Sequence, residues 1–291
     1  MTITLDAATS TTTVSPRTQP LATEAAPANE GTRRIALIGD LTCPWSYLAS
    51  RRAALLESED LEVDWRMVEH DRPVPGQHRD DAGRVTATRR DLARVLRRLL
   101  PGEELPHALG DFVPYTRPAV SGYAEAYLAG VGRSVRALLF DAFWVHRVDL
   151  GNARLVRSLL ADTVRRGSSP SELLREWGYA VDVTGAPVTT AAWHLTREWQ
   201  ADWSGGRPIV PILVLDDGRR LHGVDAVEWL GAEVIRRGIF DGAPHRSRQS
   251  VRTRKPDLVD LSWATEHGNR WMRTRRAEKS PDLFTGLRRW V

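Results

Sequence analysis

Cysteine is almost absent from this chain, since Cys43 is the only one in 291 residues. A single cysteine excludes a disulfide within the chain, and such usage is typical of a reducing cytoplasm. Long apolar runs are missing too, because none approaches the roughly 18–20 residues that cross a bilayer. The first thirty residues lack the basic segment and apolar core of a signal peptide. We therefore predict a cytoplasmic protein with no membrane partner.

Lysine is also scarce, with two lysines against 39 arginines, and this bias indicates codon usage. The formal net charge of +4 comes from residues 244–291, which hold 12 Arg and Lys against five Asp and Glu. Arginines contact phosphates and indoles stack on bases, so this Trp-containing tail could bind nucleic acid. It could equally pack on the body of the protein. We favour packing and do not expect a nucleic-acid partner.

The single cysteine lies where a strand pattern becomes a helix pattern. The apolar run of residues 34–39 leads into Asp-Leu-Thr-Cys-Pro-Trp-Ser-Tyr at positions 40–47. Pro44 suits the first position of a helix, which makes Cys43 the N-cap. Unpaired N–H groups and the positive end of the helix dipole favour a thiolate there. A lone cysteine is more often a small buried apolar residue, but this position predicts a reactive thiol.

A second landmark lies far downstream, between residues 206 and 225. It contains an apolar strand, an Asp-Gly turn and a short return strand, which together predict a β-hairpin. Pro211 is placed at the start of the first strand, a position that tolerates proline. Asp225 is the predicted N-cap of the helix that follows.

The two landmarks together resemble the thioredoxin superfamily, specifically its DsbA-type and FrnE-like branch. The step from Cys43 through Pro44 to Trp45, with Tyr47 after it, is similar to the active-site turn of that branch. Val210 and Pro211 look like the pair in which this superfamily has a cis-proline facing the active-site cysteine. The sequence departs from the disulfide oxidases at Ser46, where they carry a second, resolving cysteine.

This resemblance implies an α/β, thioredoxin-like fold interrupted by an all-helical insertion. The pattern predicts strands over residues 34–40 and 61–67, joined by a helix over 44–58. A helical stripe follows at Leu92, Val95, Leu96 and Leu99. Further helices are predicted near 117–130, 134–148, 152–166, 170–177 and 189–202. The predicted organisation is a flexible arm (1–32), a thioredoxin-like domain (33–68 and 187–240), a helical insertion (69–186) and a basic C-terminal tail (241–291).

The turn also resembles that of kappa-class glutathione transferases and 2-hydroxychromene-2-carboxylate isomerases, which read Ser-Pro-Tyr-Ser. Cys43 takes the position of their first serine, while Ser46 and Tyr47 agree with them. Three functions therefore stay open. They are thiol-disulfide exchange by a single cysteine, a thiol-dependent transferase or isomerase acting on a small molecule, and a non-catalytic binding module.

We favour thiol-disulfide exchange on a small-molecule or protein substrate. The resemblance implies catalytic roles for Cys43 as nucleophile, for Ser46 as hydrogen-bond donor to the sulfur, and for Pro211. It implies substrate contacts by Pro44, Trp45, Tyr47 and Val210. No tightly bound cofactor is expected. Glutathione, mycothiol or a partner protein would supply the second thiol.

Other candidate sites carry weaker signals. The eight histidines show no spacing for zinc, so no metal site is predicted. His194 and Glu198 are one helical turn apart, as in an ordinary surface pair. His70 and Asp71 follow the second predicted strand and are candidates for the rim of the active site. The sequence leaves the oligomeric state open.

Overall fold

The computed structural model describes residues 34–70, 81–205 and 209–239. The predicted N-terminal arm, the basic tail and Asp71 lie outside these residues, and so does the start of the downstream landmark at 206–208. Among the described residues, no helix is both long and apolar enough to cross a membrane.

The chain begins its described part with a strand-helix-strand unit. Strand β1 is Arg34–Gly39, helix α1 is Pro44–Glu57 and strand β2 is Glu62–Met67. The two strands are parallel and pair over their full length, from Arg34 opposite Glu62 to Gly39 opposite Met67. A helix between parallel strands is the connection that such pairs require. Both predicted strands and the helix are confirmed to within one residue at each end.

The predicted hairpin completes the sheet. Its strands are β3, Ile212–Val214, and β4, Arg220–His222, and both pairings of β3 are antiparallel. The sheet order is β2-β1-β3-β4, so β1 lies between its parallel and antiparallel neighbours. This order, with strand directions and a helix after β4, is the thioredoxin-like topology that the sequence predicts.

Seven more helices complete the described part of the chain, and five of them lie between β2 and the penultimate helix. Their bounds, from α2 to α8, are Asp81–Leu96, Arg117–Leu128, Gly132–Trp144, Ala153–Arg165, Glu172–Arg175, Thr190–Ser204 and Val224–Arg236. The fold is thus an α/β sheet structure with an all-helical insertion, as predicted.

Two local predictions are wrong. Leu99 does not extend the stripe of α2, because that helix ends at Leu96, and Leu99 packs on the core from the turn that follows. Asp225 is not the N-cap of α8, since the cap is Gly223 with φ of 57°. The N–H of Gly223 donates to the carbonyl of Pro211, and glycine adopts this left-handed conformation most easily. Asp225 instead lies in the first turn, where the helix dipole favours a negative charge.

A buried ion pair accounts for Arg52, which interrupts the apolar face of α1. Its side chain is 2 % exposed and forms two hydrogen bonds to the carboxylate of Glu103, at 2.8 and 2.7 Å. The remaining donors reach the carbonyl oxygens of Val227 and Arg98. Burying a charge is costly unless it is paired and hydrogen-bonded, and all three nitrogens of this guanidinium have a partner. Arg52 therefore ties α1 both to α8 and to the segment after α2.

Candidate active site

The fold brings Cys43 and the loop before β3 together, although 167 residues separate them in sequence. Cys43 is the N-cap of α1 with Pro44 in its first turn, as the sequence predicts. Its thiol donates a hydrogen bond of 3.7 Å to the carbonyl oxygen of Val210. The peptide bond between Val210 and Pro211 is cis. Three predicted site residues thus meet at the N-terminus of one helix.

The thiol is not the stabilised thiolate that the sequence predicts, and this expectation is wrong for the conformation observed. Cys43 is only 8 % exposed, and burial raises the pKa of its thiol to about 12. The N–H groups of Ser46 and Trp45 do favour the thiolate, as a helix N-terminus should, but they do not outweigh the loss of solvation. The negative charge of Asp40 raises the pKa further. The sulfur is therefore a neutral thiol at physiological pH.

Ser46 lies in the first turn of α1, three residues after Cys43. It is fully buried, and its side-chain hydrogen bond to Cys43 lowers the pKa of the thiol. Its hydroxyl oxygen also accepts the N–H of Asp40 at 3.2 Å. The hydroxyl therefore connects the end of β1 to the first turn of α1, next to Cys43.

Asp40 is a site residue that sequence reasoning missed. Its carboxylate is 2 % exposed and accepts the N–H and hydroxyl of Thr42, each at 2.6 Å. It also accepts the N–H of His70, whose Nδ1 lies 3.3 Å away. The available signal was an acidic residue at the end of an apolar strand, three positions before the cysteine. His70, predicted at the rim, indeed lies beside this turn.

Tyr47, for which the sequence predicts a substrate contact, is buried against the inserted helix α4. Its ring is 3 % exposed and stacks between Phe140 and Trp144, with centroids 5.5 Å away on either side. Its hydroxyl donates to Asp141 at 3.2 Å. Burial and the neighbouring charge of Asp141 raise the pKa of the Tyr47 hydroxyl, so it stays protonated. Tyr47 therefore attaches α1 to the inserted helix α4.

The remaining predicted contact residues differ in accessibility. Pro44 is buried, and so is Val210, which presents its carbonyl to the sulfur. Trp45 is half-buried and packs against the core. Ile209, which the sequence did not single out, has 41 % of its surface exposed next to Val210. Trp45 and Ile209 thus supply the apolar surface in the segments next to the sulfur.

No group of three or more His, Cys, Asp or Glu side chains that could hold a metal ion occurs in the described ranges 34–70, 81–205 and 209–239.

Comparisons with known proteins place these observations beside solved structures. No protein-family model matches the sequence, and a search of the curated proteins finds no match either. Among solved structures, the chain is similar to a probable DsbA oxidoreductase from Streptomyces coelicolor. The two are 19% identical with a TM-score of 0.45, over 75% of this chain and 94% of that one.

Two further solved structures are similar at the same level. The cytosolic disulfide reductase DsbM from Pseudomonas aeruginosa is 15% identical with a TM-score of 0.45, over 71% of this chain and 100% of that one. A 2-hydroxychromene-2-carboxylate isomerase is 19% identical with a TM-score of 0.44, over 70% of this chain and 96% of that one.

The geometry defines what the site can do chemically. Cys43 is its potential nucleophile. The Ser46 hydroxyl and the N–H groups of Trp45 and Ser46 favour the thiolate of Cys43, and the Val210 carbonyl accepts a hydrogen bond from the neutral thiol. A thiol in such a setting can form one covalent bond to a second sulfur. It can also remain protonated and act as a weak hydrogen-bond donor.

Proposed function

We propose that this protein is a DsbA-type thiol-disulfide exchange enzyme that works with Cys43 alone. The observation that carries this proposal is the meeting of the Cys43 thiol with the Val210 carbonyl, immediately before a cis-proline, at the N-terminus of α1. A nucleophile beside the backbone that precedes β3 suits a substrate that carries a disulfide in an extended segment. Exposed Ile209 extends the same edge.

The exchange proceeds in two balanced steps. Cys43 loses its proton, and the thiolate attacks one sulfur of the substrate disulfide. A mixed disulfide with Cys43 forms, and the other substrate sulfur leaves as a thiolate that takes up a proton. A second thiol, glutathione or mycothiol, then attacks the mixed disulfide as its thiolate and frees Cys43. No net electron is lost, because one disulfide has been exchanged for another.

Ionisation of Cys43 is the demanding step in this proposal. Burial raises the pKa of the Cys43 thiol to about 12, so very little of it is ionised at pH 7. A substrate backbone that pairs with the Val210 carbonyl would take away the acceptor of the S–H group. The donors from Ser46 and Trp45 would then stabilise the thiolate. We therefore propose that substrate binding and ionisation are coupled, in a cytoplasmic protein with no resident cofactor.

A second candidate function draws on the same buried, neutral thiol. A kappa-like transferase or isomerase needs a group that hydrogen-bonds the sulfur of a bound thiol, and a protonated Cys43 could be that donor. Such a protein would form no covalent bond to Cys43. A non-catalytic binding module is the third candidate, and a high thiol pKa also suits it.

The deciding experiment is incubation of the full chain with oxidised glutathione at pH 7 and pH 9, followed by intact-mass spectrometry. The proposal expects one glutathione adduct, absent from the Cys43→Ser variant and removed by free glutathione. Absence of any adduct at both pH values would overturn exchange. Turnover of a glutathione conjugate by such an adduct-free protein would support the transferase, and its absence the binding module.

A further inference from the structure

Asp40 forms several hydrogen bonds next to Cys43, and the proposed reaction gives it no role. It follows β1 directly, and its carboxylate is held by two residues that come later in the chain, one in the same turn and one after β2. One oxygen accepts both donors of Thr42, and the other accepts the N–H of His70. The carboxylate therefore joins the turn that carries the cysteine to the end of β2.

The backbone of Asp40 closes on the same turn. Its N–H donates to the hydroxyl of Ser46 at 3.2 Å, and its carbonyl accepts the N–H of Cys43 at 3.3 Å. Both backbone groups and both carboxylate oxygens of Asp40 are thus used within the turn or at His70. Moving this residue would move the sulfur and the hydroxyl that touches it.

The carboxylate is also a buried negative charge close to the thiol. Burial alone would raise the pKa of Asp40, but His70 and the hydroxyl of Thr42 outweigh it and keep the pKa below its ordinary value. Asp40 is therefore ionised at neutral pH. A like charge opposes the formation of a second one nearby, so Asp40 acts against the thiolate of Cys43, while Ser46 acts for it.

We infer that Asp40 is a positioning residue for Cys43, which fixes the turn that carries the sulfur and, with His70 as its partner, restrains the reactivity of the thiol. The inference deepens the proposed function and rests on it only for its effect on turnover. Solvent reaches His70 rather than Asp40, because 39% of the His70 side chain is exposed. A proton gained by its ring would partly cancel the charge of Asp40.

Other charged groups face this region from the elements around it. Glu69 is buried next to His70 after β2, and Asp141 of α4 approaches α1 through Tyr47. The charge of the exposed Arg51 acts to lower the pKa of both Tyr47 and Asp141. The test must therefore separate the Asp40 and His70 pair from these groups, and single substitutions at the pair do so.

The experiment measures the rate of Cys43 modification by methyl methanethiosulfonate between pH 5.5 and 10. This small reagent reacts with the thiolate, transfers its methylthio group to the sulfur and releases methanesulfinate. Neither a natural substrate nor a second thiol is needed. The logarithm of the rate should rise with pH, with a shallower segment where His70 loses its proton and the charge of Asp40 becomes uncompensated.

Asp40→Asn should react roughly tenfold faster than the unmodified protein in the alkaline range, where one pKa unit is a factor of ten. His70→Asn should lose the shallow segment and follow the alkaline limb of the parent throughout. The exposed Asp217→Asn variant is the matched control for loss of one carboxylate, and it should leave the profile unchanged. Equal rates for Asp40→Asn and the parent would overturn the inference.

A shallow segment that persists in His70→Asn would also overturn the inference. If Asp40→Asn fails to fold, the His70 variant still decides the question, because its ring is partly exposed. The proposed function can fail separately, since a protein that shows these shifts yet forms no glutathione adduct would keep the inference and lose the exchange reaction.

Discussion

The indole N–H of Trp144 donates a hydrogen bond of 2.9 Å to the carbonyl oxygen of Leu41. Trp144 is the last residue of α4 in the inserted helical region, and Leu41 lies in the turn before Cys43. Both side chains are buried, so no solvent replaces this bond if it is lost. The insertion therefore supports the turn before Cys43 directly.

Replacing Trp144 by phenylalanine should destabilise the protein and loosen this turn. The substitution keeps an aromatic ring against Tyr47 but leaves the Leu41 carbonyl without its partner, at a cost of about 1–3 kcal/mol. Urea unfolding measures the cost, and Cys43 modification at fixed pH should become faster. Trp177→Phe is the matched control, because Trp177 is 56% exposed and should change neither value. Unchanged values for Trp144→Phe would show that this bond is not needed.

Gly39→Ala should displace residues that pack next to Cys43. A Cβ at Gly39 would lie 2.5 Å from the ring of Trp65 and 3.2 Å from the hydroxyl of Ser46. Overpacking of this kind costs about 1–3 kcal/mol, and displacement of Ser46 should slow Cys43 modification. Gly110→Ala is the control, since its new Cβ would meet Arg147 at an ordinary 3.5 Å. Equal stability of the two variants would contradict the close packing described for Gly39.

Replacing Arg52 by methionine should strongly destabilise the protein. The substitution would strand Glu103, whose side chain is 7% exposed, without its charged partner, and such losses cost about 3–5 kcal/mol. Thermal and urea unfolding measure the loss. Arg98→Gln provides the comparison, because it breaks an exposed pair with Glu228 that is worth about 1 kcal/mol or less. A small loss of stability in Arg52→Met would mean that the Glu103 carboxylate becomes hydrated in that variant.

The burial of Cys43 predicts a specific pH dependence of stability. A thiol pKa raised from 9.0 to about 12 means that the folded state resists ionisation. Its stabilising contribution is complete below pH 9 and is lost as pH rises toward 12. Between pH 8 and pH 10, the free energy of unfolding should fall by roughly 1 kcal/mol more than in Cys43→Ala. Equal slopes in the two proteins would indicate an ordinary thiol pKa in the folded state.

Local patterns in the sequence were sufficient for the sheet and for the position of the nucleophile. The alternation of β2, the proline at position 44 and the Asp-Gly turn are signals that neighbouring residues determine, and each predicts its element. Cys43 and Pro211 could be brought together only through resemblance to a fold, because 167 residues separate the sulfur from the Val210 carbonyl.

The charge state of the thiol could not be predicted in the same way. The helix N-terminus predicts a thiolate, and its donors are indeed present. Burial reverses the outcome, and burial depends on distant segments such as α4, which supplies Trp144 to the turn. The burial of Tyr47 could not be predicted for the same reason, since its partner Asp141 lies 94 residues away. Solvation at a site is a property of the assembled fold.

The pairing of β1 with β3 sets an order of events during synthesis. Ala36 of β1 lies opposite Val214, about 180 residues later in the chain. As the nascent chain leaves the ribosome, β1 can pair early with β2, but its other edge has no partner until β3 emerges. Unpaired strand edges in incomplete chains favour aggregation. The inserted helices are synthesised in this interval and have local contacts, so they can fold before β3 emerges. They can then shield the apolar face of α1 while the second edge of β1 is still unpaired.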